Sequence, residues 1–453
     1  MADVVNQRAH YSPPWADVSI IGIAGSSGSG KSTLSHAIVS KLNLPWVDSF
    51  YKSLDEEGSR KAFLNEYDFD SPEAIDFDVL VDRLRRLKAG KRAEIPIYSF
   101  AKHAREKETT SIYSPHVLIL EGIFALYDPR VLELLDMKIF CEADADTCLS
   151  RRSENPRQSL LIQLLIPDKS SEMSKSVVEI SQAVSSNGLH TSNRISKHML
   201  SLRGRLLRFQ LTYIKVMVIQ YIERKLIEKS KSHRAELKRL NQSSENDALS
   251  ENVIILKQTS QVRGMNTIIQ DTDTSAEDFI FYFDRIAALL VENALNNIYF
   301  KEVTVSTPTG NKYHGLHATG ETSAVVILRA GSTFETGLRR VLPSCKTGRL
   351  LIQSNIRTGE PELHYLKLPA DIRAHDGVLL LDPQMSSGGA GLMAVQVLVD
   401  HGVPEDKIVF VTYVAGRIAV KGLTKVFPGV KVVVCTTVPD FEERWVESRY
   451  LGC

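Results

Sequence analysis

The sequence is poor in cysteine, in net charge and in long apolar runs. Its five cysteines, Cys141, Cys148, Cys345, Cys435 and Cys453, are odd in number and scattered, with no CxxC pair and no His/Cys cluster. Such spacing supports neither a disulfide framework nor a structural zinc site. Lys+Arg 55 against Asp+Glu 54 gives a formal net charge of +1, which leaves no global electrostatic attraction for nucleic acid or an anionic membrane. The most apolar span, from Leu206 to Ile222, is interrupted by Arg208 and Lys215 and reads as an amphipathic helix, not a membrane crossing. Residues 1–15 lack the basic and apolar regions of a secretory signal. The expectation is a soluble intracellular protein, cytoplasmic with the nucleus as an alternative, and with neither nucleic acid nor membrane as a partner.

What is present is ordinary globular chemistry. The 453 residues are 43% hydrophobic and 24% charged, which excludes a disordered chain, a collagen and a coiled-coil rod. A chain of this length builds about two or three domains. Residues Val18 to Ala24 form a short apolar run rich in β-branched side chains, the pattern of a buried strand. It flows into Gly25, Ser26, Ser27, Gly28, Ser29, Gly30, Lys31, Ser32 and Thr33, after which Leu34, Ala37, Ile38 and Leu42 recur at helical spacing. Strand, glycine-rich loop and helix are the context in which GxxxxGK[ST] works. The glycines let backbone N–H groups and the helix N-terminus face a polyphosphate. Lys31 would neutralise its β and γ oxygens, and Ser32 would offer a hydroxyl to Mg²⁺.

A phosphate loop specifies a nucleotide and leaves the acceptor open. Two acids follow short apolar stretches: Asp48 after Leu44 to Val47, and Glu121 after Val117 to Leu120. In a parallel α/β sheet, strand C-termini gather on the side where ligands bind. Either acid alone reads equally well as a solvated strand-end carboxylate; with the loop, the pair favours a kinase, one acting as base and one as metal partner.

Residues 19–152 resemble a uridine-cytidine kinase, through GSSGSGKST (25–33), YDFDSPEAIDFD (67–78), IPIYSFAKHAR (95–105), LILEGIFALY (118–127) and CEADADTCLSRR (141–152). The resemblance implies that ATP and Mg²⁺ act together, with Ser32, Asp48 and Glu121 at the metal and Asp48 as the base at the nucleoside 5′-hydroxyl. It implies that Asp70 receives the ribose hydroxyls and that Tyr98 and His103 read the pyrimidine edge. Tyr51, Phe69 and Phe100 would line the same subsite, with Arg152 at the base of a lid. Judged on its neighbours alone, His103 reads as a surface or helix-end histidine, because Lys102, Arg105, Lys107 and Glu108 surround it.

The likeness stops at Arg152. Residues 153–220 are Ser-rich, hold no clear strand and lack an arginine-rich lid, and family-like sequence resumes near Tyr221. An arginine at the γ-phosphate is worth roughly 10³–10⁵ in rate, so its loss would leave binding without efficient transfer. The stretch reads as an altered reading of the gene, a retained intron or frame change, or else as a lineage-specific insert. Loss of the last core strand would expose a sheet edge.

Residues 228–252 shift from a charged helical pattern to a polar Ser/Asn stretch, the composition of a linker. From Val253 the α/β pattern returns. Val378 to Leu381 runs into Asp382 and then Ser386, Ser387, Gly388, Gly389 and Ala390, with a helix marked by Leu392, Val395, Leu398 and Val399. This reads as a second phosphate cradle at a helix N-terminus, with Asp382 placed to accept ribose hydroxyls; the bland alternative is an acid turn followed by a capped helix. Residues 253–453 resemble uracil phosphoribosyltransferase through ILRAG (327–331), SNIRTGEPELHYLKLP (354–369) and LLLDPQMSSGGA (379–390). The resemblance implies that Arg329, Arg357 and Lys367 engage phosphoribosyl pyrophosphate (PRPP). In the tail, Phe441 and the RYLG end match the family, but bulkier and charged residues replace the uracil-binding glycines.

The expected fold class is α/β: a P-loop NTPase-type parallel-sheet domain followed by a phosphoribosyltransferase-type domain. The expected division is a tail at 1–18, a kinase at 19–227, a linker at 228–252 and a phosphoribosyltransferase-like domain at 253–453. Three functions compete: a uridine/cytidine kinase with an inactive second domain, a bifunctional enzyme that also uses uracil, and a catalytically impaired nucleotide- and PRPP-binding assembly protein. The expected partners are ATP, uridine, cytidine and PRPP, with the chain forming a homo-oligomer.

Overall fold

The phosphate-loop strand β1 (Ser19–Gly25) is buried along its whole length, and its alternation of side chains explains the layers around it. Ile20 and Ala24 face a cluster with Leu118, Leu120, Leu80 and Leu84. Ile21 and Ile23 face the opposite cluster, with Ile119, Ile139, Leu34, Val218 and Ile222. Successive strand residues point to opposite faces, so a run of apolar residues needs cover on both sides. Each fully buried isoleucine contributes about 1.5–3 kcal/mol. The computed structural model describes residues 9–42, 46–47, 50–64, 66–99, 102–113, 115–143, 148, 161–165, 193–244, 248–354, 361–439 and 445–452.

The chain divides into two units, Pro14–Glu228 and Lys229–Cys453, the second also taking Met1–Pro13. The first unit runs β1, α1 (Lys31–Leu42), β2 (Trp46–Val47), α2 (Glu56–Phe63), α3 (Phe77–Lys88), β3 (Ala93–Ser99), β4 (Ala104–Ile112), β5 (Val117–Glu121), α4 (Pro129–Leu132), β6 (Met137–Glu142) and β7 (Leu161–Leu165). Its main sheet has the order β2-β5-β1-β6-β7, while β3 and β4 form a separate ribbon. β1 is parallel to β5 and β6, β2 is parallel to β5, and β7 is antiparallel to β6. Helix α3 begins at Asp76, whose carboxylate accepts the Val79 N–H at 3.2 Å, a side-chain cap for an otherwise orphaned donor.

Strand β7 corrects the expectation that 153–220 holds no strand. Leu161 to Leu165 pairs with Glu142 to Lys138 and covers the β6 edge that would otherwise stand open. Its Leu-Ile-Gln-Leu-Leu sequence supplies the apolar run, hidden by the Ser-rich context. The rest of 151–192 lies outside the described residues, and with it most of the divergent stretch. Helix α5 (Asn193–Ser244) follows, 52 residues long, so the stretch expected as a linker is helical as far as Ser244.

The described part of the expected N-terminal tail is packed, not free. In the second unit, Ala9 N–H donates to the Lys425 carbonyl at 3.0 Å. Tyr11 meets the His233 and Phe427 rings edge-on at 5.8 and 6.5 Å. In the first unit, Trp15 is fully buried and Asp17 N–H donates to the Lys88 carbonyl at 2.8 Å.

The second unit contains β8 (Val253–Ile255), α6 (Ser260–Gln270), α7 (Ala276–Leu295), the hairpin β9 (Phe300–Ser306) and β10 (Lys312–Ala318), and β11 (Thr322–Leu328). These are followed by α8 (Glu335–Val341), β12 (Lys346–Ser354), β13 (Pro361–Lys367), β14 (Gly377–Leu381), β15 (Gln384–Met385), α9 (Gly389–Asp400), β16 (Ile408–Gly416), α10 (Arg417–Val426), β17 (Lys431–Val438) and α11 (Val446–Leu451). Its sheet order is β13-β12-β11-β14-β16-β17-β8, with β15 added to β16. Only β13 among these strands runs antiparallel to its neighbour. Helix α7 places Phe279, Phe283, Ile286, Leu290 and Val291 in the core against β11, β14 and β16. No helix among the described residues is long and apolar enough to cross a membrane.

Candidate active site and anion cradle

The loop between β1 and α1 is built on backbone that only glycine adopts readily. Gly25, Gly28 and Gly30 have φ of 152°, 86° and 90°, in or beyond the left-handed region where a Cβ is strained. Space is short as well: a Cβ on Gly25 would meet the Cys141 carbonyl, and one on Gly28 would lie 2.8 Å from the Cys148 carbonyl. The strand ends β1 and β6 therefore fix the loop from behind. Burial pushes the Cys141 thiol up to about 12 despite the nearby Lys31, so it remains an uncharged packing group. Ser26, Ser27 and Thr33 lie along the same loop and helix start, and Ser29 is fully buried beneath it.

Two of the expected metal residues meet. Ser32 Oγ donates to Glu121 Oε1 at 2.9 Å, and Lys31 Nζ stands 4.0 Å from the same oxygen. Glu121 is buried. It comes from the end of β5, directly beside β1, which explains why residues so far apart in sequence converge. A hydroxyl and a carboxylate oxygen are hard donors that fit a small divalent cation. Asp48, the third member of the set, lies outside the described residues.

The expected nucleoside residues form an aromatic group. Tyr51 lies 5.2 Å from Tyr98 and 6.1 Å from Phe69, ring centre to ring centre. Phe69 stacks on His103 at 5.3 Å with an interplanar angle of 21°. Burial raises the Tyr98 phenol above its ordinary value, keeping it protonated as a donor. His103 has a φ of 48° and a buried Nδ1 with no hydrogen-bond partner among the described residues. Asp70 is exposed beside them, in a turn where its N–H donates to Asp68 Oδ1 at 2.9 Å. Phe100 and Arg152 lie outside the described residues.

Sequence reasoning missed the residues that hold this group. Arg105 donates to the Tyr51 carbonyl at 2.8 Å and to Asp76 Oδ2 at 3.0 Å, linking β4, the Tyr51 segment and the cap of α3. Tyr67 adds an edge contact to Phe69 at 4.8 Å. Arg105 and Tyr67 lay inside the matched strings, yet their partners are distant in sequence and carry no local signal.

In the second unit, Gly388 takes a φ of 83° at the start of α9. Ser386, Ser387, Gly389 and Ala390 therefore surround a helix N-terminus, with Ser387 exposed and Asp382 buried at the end of β14. Arg329 follows β11 on the same side of the sheet. Lys367 closes β13 opposite Arg349, two residues before the Leu351 that pairs with the β11 end, so the register sets it back from the cradle. Arg357 lies outside the described residues.

The tail occupies space of its own. Trp445 packs edge-on against Phe279 and Tyr413 at 6.1 and 6.4 Å, and Val446 N–H donates to Gln384 Oε1 at 2.7 Å. Arg449 donates to the carbonyls of Ile269, Asp271 and Thr274, and Tyr450 donates to Asp284 Oδ1 at 2.7 Å. Glu447 Oε1 accepts from Arg329 Nε at 3.1 Å. Phe441 lies outside the described residues.

One further cluster has metal-ligand composition: Glu321, Asp371 and His375. Lys346 Nζ donates to both carboxylates, at 2.6 and 2.8 Å, and holds Asp371 down to about 2. The ammonium already supplies the positive charge that a metal would bring.

Comparison with known proteins gives a family for each half of the chain. Residues 20–155 match the phosphoribulokinase/uridine kinase family, and residues 255–445 match uracil phosphoribosyltransferase. The chain is 38% identical to uridine-cytidine kinase-like 1 of Mus musculus, over 94% of this chain and 78% of that protein. It is 38% identical to the uridine kinase of Schizosaccharomyces pombe, over 98% of this chain and 97% of that protein. The uridine kinase of Saccharomyces cerevisiae is 35% identical, over 99% of this chain and 91% of that protein. With these two family matches and relatives that cover nearly its whole length, the chain belongs to the uridine kinase family.

Proposed function

We propose that this chain transfers the γ-phosphate of ATP to the 5′-hydroxyl of uridine and cytidine, giving UMP and CMP in pyrimidine salvage. The observation that carries the reading is the meeting of Ser32 and Glu121 at 2.9 Å beside the phosphate loop, within a domain that also groups the rings of Tyr51, Phe69, Tyr98 and His103. Backbone N–H groups of residues 25–33 bind the phosphates, and Lys31 balances their charge. Ser32, Glu121 and Asp48 hold the divalent cation, Mg²⁺ by the hardness of its donors. When bound, the cation offsets charge on the phosphate oxygens. Asp48 accepts the proton of the 5′-hydroxyl. Asp70 accepts hydrogen bonds from the ribose hydroxyls, while Tyr51, Phe69 and Phe100 enclose the base. Tyr98 and His103 supply its directional contacts, and Arg152 completes the nucleoside-binding set. Kinase function occupies residues 19–227.

The second domain, 253–453, binds PRPP or a related phosphoribosyl anion at residues 386–390 and Asp382 without turning over uracil. The tail supports this reading: Glu447 is engaged with Arg329, and Trp445 to Tyr450 are anchored in the domain. The test is a pair of assays on the full chain, ATP-dependent phosphorylation of uridine and cytidine, and UMP formation from uracil and PRPP. Kinase activity alone supports the proposal, both activities select a bifunctional enzyme, and neither activity with ATP still bound selects a binding protein.

A further inference from the structure

Helix α2 ends on an exposed phenylalanine, Phe63, which touches the expected nucleoside subsite and to which the family resemblance gave no role. Phe63 is 63% exposed, so one side of its ring is open to solvent. Its neighbour is His103: the two rings meet edge-on, 4.9 Å apart at 83°. On its other side His103 stacks on Phe69 at 5.3 Å and 21°. One imidazole is thus held between a parallel ring and a perpendicular one, and the perpendicular ring belongs to a different element.

Two more observations single out His103. Its backbone φ is 48°, a left-handed conformation uncommon outside glycine, although histidine enters it more readily than most residues. Its Nδ1 is buried without a hydrogen-bond partner among the described residues, an uncommon state for a buried polar atom. A base edge would supply that partner, provided the imidazole plane is fixed before binding. Helix α2 is itself anchored at its start, where Asp55 Oδ1 accepts the Gly58 N–H at 2.7 Å, so the position of Phe63 is set by a capped helix.

We infer that Phe63 is a positioning residue for nucleoside recognition: it orients the His103 imidazole toward the base. The inference rests on the reading of His103 as a base-contacting residue. Edge-to-face ring pairs are worth enough to change an equilibrium by about fivefold, and that is the size of effect expected.

The test is steady-state kinetics of the full chain with Phe63→Ala, Phe63→Tyr, His103→Ala and the Phe63→Ala/His103→Ala double variant, varying uridine and then ATP. Phe63→Ala is expected to raise the KM for uridine about fivefold, leaving kcat and the KM for ATP within about twofold. Phe63→Tyr is expected to restore the KM, and Phe63→Ala to add nothing once His103 is absent. A normal uridine KM in Phe63→Ala, alongside a raised one in His103→Ala, overturns the inference and leaves the base reading intact. A normal KM in His103→Ala overturns the base reading and the inference with it. An equal penalty in both backgrounds means that Phe63 acts on the nucleoside directly and overturns its positioning role. The ATP KM reports a folded phosphate loop in every variant.

Discussion

Ser32 Oγ and Glu121 Oε1 lie 2.9 Å apart and share a hydrogen bond, joining the first turn of α1 to the end of β5. The bond exists because β1 and β5 are parallel neighbours in register from Ser19–Val117 to Ile23–Glu121. One strand delivers the loop and the other delivers the acid to the same edge. Replacing Glu121 by Gln keeps an acceptor for Ser32 but removes the charge a cation needs. Glu121→Gln is expected to lower kcat/KM for uridine by at least about a hundredfold, with little change in melting temperature. Unchanged kinetics at saturating Mg²⁺ would remove Glu121 from the metal set.

Gly25 provides a steric test of the loop. A Cβ there meets the Cys141 carbonyl at a φ of 152°. Gly25→Ala is expected to destabilise the first domain by about 1–3 kcal/mol and to abolish ATP binding measured by calorimetry. Wild-type ATP affinity in that variant would mean that the loop tolerates the displacement.

In the second domain, Glu447 pairs with Arg329 at 3.1 Å, so under the proposed reading it competes with a bound anion. The Arg329 side chain is 63% exposed, so the pair is worth no more than about 1 kcal/mol. Glu447→Gln is expected to tighten PRPP binding by up to about fivefold, read by calorimetry, while uracil turnover stays at background. Weaker PRPP binding would show that Glu447 supports the cradle, not that it competes with the ligand.

Tyr11 tests the packed N-terminal segment. It is 9% exposed and contacts His233 and Phe427. Tyr11→Ala is expected to lower the unfolding free energy of the second unit by about 2–4 kcal/mol, measured by urea denaturation followed through the tryptophans. An unchanged midpoint would mean that the segment contributes nothing to stability.

Much of this was legible in the sequence where the signal is local. Residues 25–33 and 382–390 carry loop and helix start in one contiguous string, and glycine chemistry dictates their backbone. Glu121 was legible because a five-residue apolar strand ends on it. Strand β7 escaped because its apolar residues sit in a Ser-rich stretch and its pairing with β6 is long-range. The length of α5 escaped because polar residues at its end read as linker composition, although Ser and Asn in a long helix cost only a few tenths of a kcal/mol each, about the spread of propensities. The Arg105 bridge to Tyr51 and Asp76 and the contact between Arg329 and Glu447 join segments far apart in the chain. No spacing rule reports such pairs.

The most direct measurement is ATP-dependent phosphorylation of uridine and cytidine by the full chain, run beside Asp48→Ala with ATP binding measured on both proteins. The account predicts UMP and CMP from the native chain, and none from Asp48→Ala while ATP still binds. Product from Asp48→Ala at the native rate would contradict the base assignment, and a native chain that binds ATP but forms no nucleotide from either nucleoside would contradict the kinase itself.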